Sequence, residues 1–453
     1  MKFKLTTISA VAIAFVSLLP ASVWADNHST VVGEGMSSTT SSSMKKGKTG
    51  HIVHSITQDF WRYSKAPKGW PGERVYAGCT YIDEVEIQCM DLAKKLFKSE
   101  FADVRPISGV VANLAIYSAF SNPGDVMLAP SIPAGGHISH GKKEHSGTAG
   151  LVHGLEIEFF AFDSEEMNID VEKTKMKVEE LKKQDRLPKI AMFGGSVFLF
   201  PHPVKELADF LKGYDIHINY DAAHVAGLIA GGEFQDPLRE GVDTMTMSTH
   251  KTLFGPQGGL VLAFEKDAEA IKKATFPGLT SSHHIHHMAA KAVTFAEALE
   301  FGKDYASQTI KNAKALAVAL NDLGFKVLGE KKNFTQSHQT VMNVLDYGDG
   351  GKIEADLEKA NIIVNRQLIP GDIKAKRHYM HPGGIRLGTS EVTRLGMKES
   401  EMQQIASFIK QIVVDKKDAK EIVNQVTELR KNYQKTEYCF DNKLGAYEYV
   451  KLR

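Results

Sequence analysis

The fold is decided by Ile216-His-Ile-Asn-Tyr-Asp221-Ala-Ala-His224-Val-Ala-Gly227, followed by Thr244-Met-Thr-Met-Ser248-Thr-His250-Lys251-Thr-Leu-Phe-Gly-Pro-Gln-Gly258-Gly259. Residues 216–220 and 244–247 are short runs of strand length, as are 190–193 and 259–264, and 204–214 between them has helical spacing. That alternation is the βαβ pattern of a parallel sheet. In such sheets ligands sit beyond the carboxyl ends of the strands, which is where Asp221 and Lys251 stand.

Each charge has an ordinary reading. Asp221 is acceptable as a helix N-cap, yet a carboxylate ending an apolar strand is costly without a cationic partner. Lys251 could be a solvated surface lysine. Between a strand and a Gly/Pro-rich loop, however, its amine can be desolvated and made reactive toward an aldehyde. Ser108-Gly109 opens a helical run over 110–117; it reads as a plain N-cap or as a helix start that receives a phosphate dianion. A carboxylate for a pyridine nitrogen, an amine for an aldehyde and a helix start for a phosphate are together the requirements of pyridoxal 5'-phosphate.

Five motifs then appear in one order: Arg105-Pro-Ile-Ser108-Gly109, Gly135-Gly136-His137-Ile-Ser-His140-Gly, Asp221-Ala-Ala-His224-Val-Ala-Gly, Ser248-Thr-His250-Lys251-Thr and Gly384-Ile-Arg386-Leu-Gly-Thr. Together they resemble the serine hydroxymethyltransferases, with matches from about Gly69 to Thr393. The resemblance implies an α/β fold-type-I pyridoxal-phosphate enzyme. Its large domain has a mostly parallel seven-stranded sheet, its smaller C-terminal domain is α+β, and it assembles as a homodimer or a tetramer. It also implies that Lys251 carries the cofactor as a Schiff base, with His250 beside it, and that Asp221 pairs with the ring nitrogen. His224 and Ser196 would contact the ring and its phenolic oxygen, Ser108 and Gly109 the phosphate, and Arg386 the substrate carboxylate, with Ser248 a further cofactor contact. Tyr76 matches a tyrosine that reaches the site across the dimer. Ser281 and Ser282 match a loop that runs past the neighbouring subunit's phosphate.

The same loop holds His283, His284, His286 and His287. No carboxylate or cysteine accompanies them, so no metal site is expected. Three departures stand out. Lys68 occupies the position of the family glutamate that moves a proton between serine and folate, and a cation cannot be that base. Ala66 replaces a tyrosine, and Ala134 is read as replacing the histidine that covers the cofactor ring. The expected activity is therefore folate-independent cleavage or formation of the Cα–Cβ bond of β-hydroxy-α-amino acids, in an aldolase or transaldolase reaction without tetrahydrofolate. The competing readings are a folate-dependent glycine hydroxymethyltransferase, other pyridoxal-phosphate chemistry such as transamination or racemisation, and a non-catalytic binding protein.

The wider sequence sets the frame. With 453 residues, 43% hydrophobic and 24% charged, the chain can bury a sizeable core, and a net charge of +1 gives no field to recruit nucleic acid or an anionic membrane. A small zwitterion such as an amino acid fits better. Lys2 and Lys4, the apolar stretch after them and Val23-Trp-Ala25 read as an export signal over 1–25, with a periplasmic or secreted product. A Ser/Lys-rich tether over 26–50, an arm over 51–80, the large domain over 81–324 and the small one over 325–453 complete the expected plan. Cys79, Cys89 and Cys439 fit no zinc spacing and are read as core thiols, although an oxidising compartment would permit one bridge.

Overall fold

The computed structural model describes residues 69–440 apart from 76. The expected export signal and tether, Ala66, Lys68 and Tyr76 lie outside the described residues. The first sheet is built from β1 (Phe101–Asp103), β2 (Val126–Ala129), β3 (Glu156–Phe159), β6 (Ile190–Gly194), β7 (His217–Asp221), β8 (Thr244–Ser248) and β9 (Gly259–Ala263), in the order β1-β9-β8-β7-β6-β2-β3. A separate hairpin pairs β4 (Phe162–Asp163) with β5 (Asn168–Ile169). Neighbours from β8 through to β3 run parallel, and β9 runs antiparallel to both β8 and β1. This is the expected mostly parallel seven-stranded sheet.

Its central strands are buried along their whole length, β6 and β9 as apolar runs without alternation. Such a pattern requires cover on both faces, and helices supply it. The Val204–Lys212 helix buries Val204, Leu207, Ala208 and Leu211 at helical spacing. The Thr80–Phe97 helix does the same with Ile82, Cys89, Met90, Ala93, Leu96 and Phe97. Each fully buried Leu or Phe contributes about 1.5–3 kcal/mol of transfer free energy.

The helix Ile285–Asp322 has 38 residues and is therefore about 57 Å long. It packs against the Thr80–Phe97 helix and against Glu399–Val413, and so joins the first core to a second one. The second core covers an antiparallel sheet of β10 (Lys326–Val327), β11 (Gln339–Asn343), β12 (Asn365–Gln367) and β13 (Gly384–Gly388), in the order β10-β11-β13-β12. Among the described residues no helix is long and apolar enough to cross a membrane.

Two element boundaries bear on the site. Strand β11 begins at Gln339, because buried Gln339 and Thr340 satisfy their polar groups by hydrogen bonds and need no solvent. The long helix begins at Ile285 with His284 as its N-cap, which draws His286 and His287 into its first turn.

Candidate active site

Asp221 is the last residue of β7 and is buried. One carboxylate oxygen accepts from Nε2 of His140 and Nδ2 of Asn113, both at 2.9 Å, and the other accepts from the Ala223 N–H at 3.0 Å. Burial alone would raise its pKa. The His140 hydrogen bond and charge, with His137 and the Asn113 amide, outweigh burial and hold it down at about 2, so the group is an anion throughout the neutral range. Neighbouring β6 ends at Gly194, paired with Asp221; a Cβ there would meet the Asp221 carbonyl oxygen at 2.1 Å, so only glycine allows the approach.

Beside β7, the end of β8 releases the loop that carries Lys251. Thr249 winds it, its N–H donating to the Gly258 carbonyl and its Oγ1 to that of Pro256. Thr252 ties this loop to the Asp221 motif, donating from Oγ1 to the His224 carbonyl and accepting from the Gly227 N–H. Burial lowers the Lys251 pKa; Arg386 adds to the shift and Asp221 opposes it. Asp221, Lys251 and Arg386 therefore share one electrostatic site.

Arg386 comes from the second sheet. On β13 it pairs with Val341, while Gln339, two residues back on β11, pairs with Gly388, so Arg386 and Gln339 share a face. Both reach across to the Ser196 carbonyl, Arg386 from Nη1 at 2.7 Å and Gln339 from Nε2 at 2.9 Å. The Gln339 amide also lies 3.3 Å from His224 Nδ1. An amide N–H can only donate, so the His224 proton belongs on Nε2. Lys251, His224, His250, His338, Gln339, Asn365 and Arg386 line a cavity of about 390 Å³ that continues toward Phe254, Glu391 and Arg394.

Ser108, expected at the phosphate, is the N-cap of the Gly109–Phe120 helix and accepts from the Val111 N–H; the first turn holds no acidic residue. Gly109 lies against Ser248, where an added Cβ would come within 2.6 Å of Oγ. Ser108, Gly109 and Ser248 are thus together at one helix start. Ser196 contributes its backbone carbonyl, as an anchor for Arg386. His250 is exposed at the cavity rim. Ser281 and Ser282 do not line the Lys251 cavity of their own chain.

Ala134 lines an apolar cleft with Pro133, Met167, Val197 and Phe200 rather than the Lys251 cavity. The His137 imidazole stands in the field of Asp221, His140, Lys251 and Arg386, and its pKa is pushed down to about 4, chiefly by burial. His137 and His140 stand in a motif whose residues were given no role, and Asn113 carries only the weak signal of an amide inside an apolar helical run.

The set fits pyridoxal phosphate on its own chemistry. A buried ionised carboxylate suits a pyridinium, a lysine of lowered pKa suits an aldehyde, and a capped helix start without acids suits a phosphate. The comparisons agree. A family model described as serine hydroxymethyltransferase matches residues 58–409. The chain is 79% identical over 403 residues to the serine hydroxymethyltransferase of Nitrosopumilus maritimus, covering 89% of this chain and 91% of that one. It is 50% identical over 440 residues to that of Korarchaeum cryptofilum, covering 96% and 97%. Its fold is similar to the crystal structure of L-threonine transaldolase from Pseudomonas fluorescens in the internal aldimine state, with a TM-score of 0.75, 29% identity, and 84% of this chain and 85% of that one covered. With residues of three of the five motifs lining one cavity and a family match over most of its length, this chain belongs to the serine hydroxymethyltransferase family of fold-type-I pyridoxal-phosphate enzymes.

Proposed function

We propose that the chain cleaves and forms the Cα–Cβ bond of β-hydroxy-α-amino acids, with glycine as the shared product, as an aldolase or transaldolase that needs no folate. The observation that carries this reading is that Lys251 and Arg386 line one cavity, with Asp221 in the same electrostatic field. Lys251, Asp221, and Ser108 with Gly109 would hold the cofactor at its aldehyde, ring nitrogen and phosphate. When bound, it supplies a conjugated ring that takes up the electron pair released at Cα.

The chain's own groups do the rest. The Arg386 guanidinium, braced on the Ser196 carbonyl, grips the substrate carboxylate and fixes which Cα bond stands against the ring. Burial keeps the His224 and His338 imidazoles neutral, His338 down at about 3, and also lowers His250. Among these, the neutral His338 and His250 imidazoles offer acceptors for the β-hydroxyl proton without a carboxylate at position 68, while His224, its Nδ1 held by Gln339, presents Nε2–H as a donor. The transaldolase similarity supports the folate-free reading. The 79% identity to a protein named serine hydroxymethyltransferase favours a second one, hydroxymethyl transfer to folate. We further propose a homodimer and export directed by residues 1–25.

The test is product analysis on the cofactor-loaded chain given serine, threonine or allo-threonine, with and without tetrahydrofolate. Glycine and aldehyde released from threonine or allo-threonine at the same rate without folate is the expected result. Turnover of serine alone, dependent on tetrahydrofolate, would replace this reading with the second, and an oxo acid product would point to transamination.

A further inference from the structure

Four histidines stand within five residues at the start of the long helix, and the fold divides them. His283 is buried and places Nε2 2.6 Å from the carboxylate of Glu86, which also accepts from Arg74. It belongs to the interior. His284, His286 and His287 are half-buried and face one another, with ring centroids 4.4 to 5.7 Å apart. One nitrogen from each lies within 4.8 Å of the other two. Positions 284 and 287 are three apart, and so share a helix face, with 286 beside them.

We propose that His284, His286 and His287 form a binding site for one divalent transition-metal ion of the zinc class, with water in the fourth position. Imidazole is a preferred ligand of zinc, copper and nickel, and three histidines with an open position are an established zinc arrangement. Bonds of about 2.0–2.1 Å require tetrahedral ligand atoms about 3.4 Å apart, so the cluster must close by about 1.5 Å. Side-chain rotation at half-buried positions supplies that movement.

The three facing imidazoles are the donors a cation needs, although the nearby Lys291 charge, which lowers the pKa of His284 and His287, also lowers the affinity for a cation. The backbone of Gln257 lies close enough to His287 to oppose slightly the lowering of its pKa. The positive end of the helix opposes a cation and lowers the affinity without removing the three donors. Because Gln257 lies in the Lys251 loop, a bound ion would tie the helix start to that loop. The expectation of no metal here rested on the lack of a carboxylate or cysteine, and three imidazoles do not need one.

The experiment is calorimetric titration of Zn2+ into the cofactor-loaded full chain, repeated with Co2+ to read ligand-field absorbance. One saturable Zn2+ per chain is expected. His284→Ala, His286→Ala and His287→Ala should each weaken it by at least about tenfold, since even loss of an outer partner costs about 10–100-fold, while His283→Gln stays within about twofold of the parent. Circular dichroism of each variant checks that it remains folded. The proposal is overturned if no saturable Zn2+ binding occurs, if His283→Gln weakens it as much as the other three, or if the cluster binds inorganic phosphate and no metal.

Discussion

Lys291 offers a quantitative test of how the Lys251 loop is braced. It is fully buried on the long helix, and its ammonium donates to the carbonyls of Val104 at 2.8 Å and Gly259 at 2.9 Å. Burial brings its pKa from 10.5 down to about 8, against the opposing influence of Cys89, Asp103 and Glu86. Between those two values the unfolded chain holds the proton and the folded chain has released it. The unfolded state then binds more protons, so stability rises with pH across this window. A difference of about 2.5 units at 1.36 kcal/mol each amounts to about 3 kcal/mol, present above pH 10.5 and lost as pH falls through 8. The perturbation is Lys291→Met, made in a Cys89→Ala background, because burial pushes that thiol up to about 12 and its titration would act with the opposite sign. Urea unfolding of both proteins at several pH values across the window gives the difference. The Lys291 parent should gain about 3 kcal/mol on the Met variant as pH rises through it. A gap that stays flat, or that narrows with rising pH, would refute the reasoning.

Three further outcomes follow from single contacts. Gly227→Ala would bring a Cβ within 2.1 Å of the Thr252 carbonyl oxygen and displace the Lys251 loop, costing about 1–3 kcal/mol in thermal or urea unfolding and weakening cofactor retention on dialysis. Arg386→Lys loses the fork that holds a carboxylate, about 1.5–3 kcal/mol, so KM for the amino acid should rise roughly 10- to 150-fold while the visible absorbance of the bound cofactor is unchanged. Asp221 has its pKa depressed from 3.8 to about 2, and so contributes about 2 kcal/mol of stability above pH 3.8 that is lost as pH falls toward 2. Asp221→Asn should be less stable by about that amount at pH 6, with the gap closing below pH 4, as read by urea unfolding.

Much of the site was legible because its polar residues interrupt apolar strands. Asp221 ends β7 and Lys251 stands in the loop just after its parallel neighbour β8, so a local pattern sufficed to place them at one edge of the sheet. The partners that set their chemistry were not legible in the same way. Asn113 lies 108 residues from Asp221 and His140 lies 81, and no periodicity encodes pairing over such distances. Gln339 was hidden for another reason. A polar residue at the head of a strand reads as loop until its amide is seen to be satisfied by the Ser196 carbonyl. Lys291 looked like one more lysine on a long helix, and only burial distinguishes it.

The central claim is that the Lys251 amine, facing Asp221 and Arg386, is the group that holds the cofactor. Borohydride reduction of the cofactor-loaded chain fixes the carbon–nitrogen bond, and peptide mass analysis then locates the added mass. The account predicts one pyridoxyl group per chain, on Lys251, and none on the Lys251→Ala variant. A label on Lys291, which is fully buried and also of lowered pKa, or a chain that takes up no cofactor at all, would contradict it.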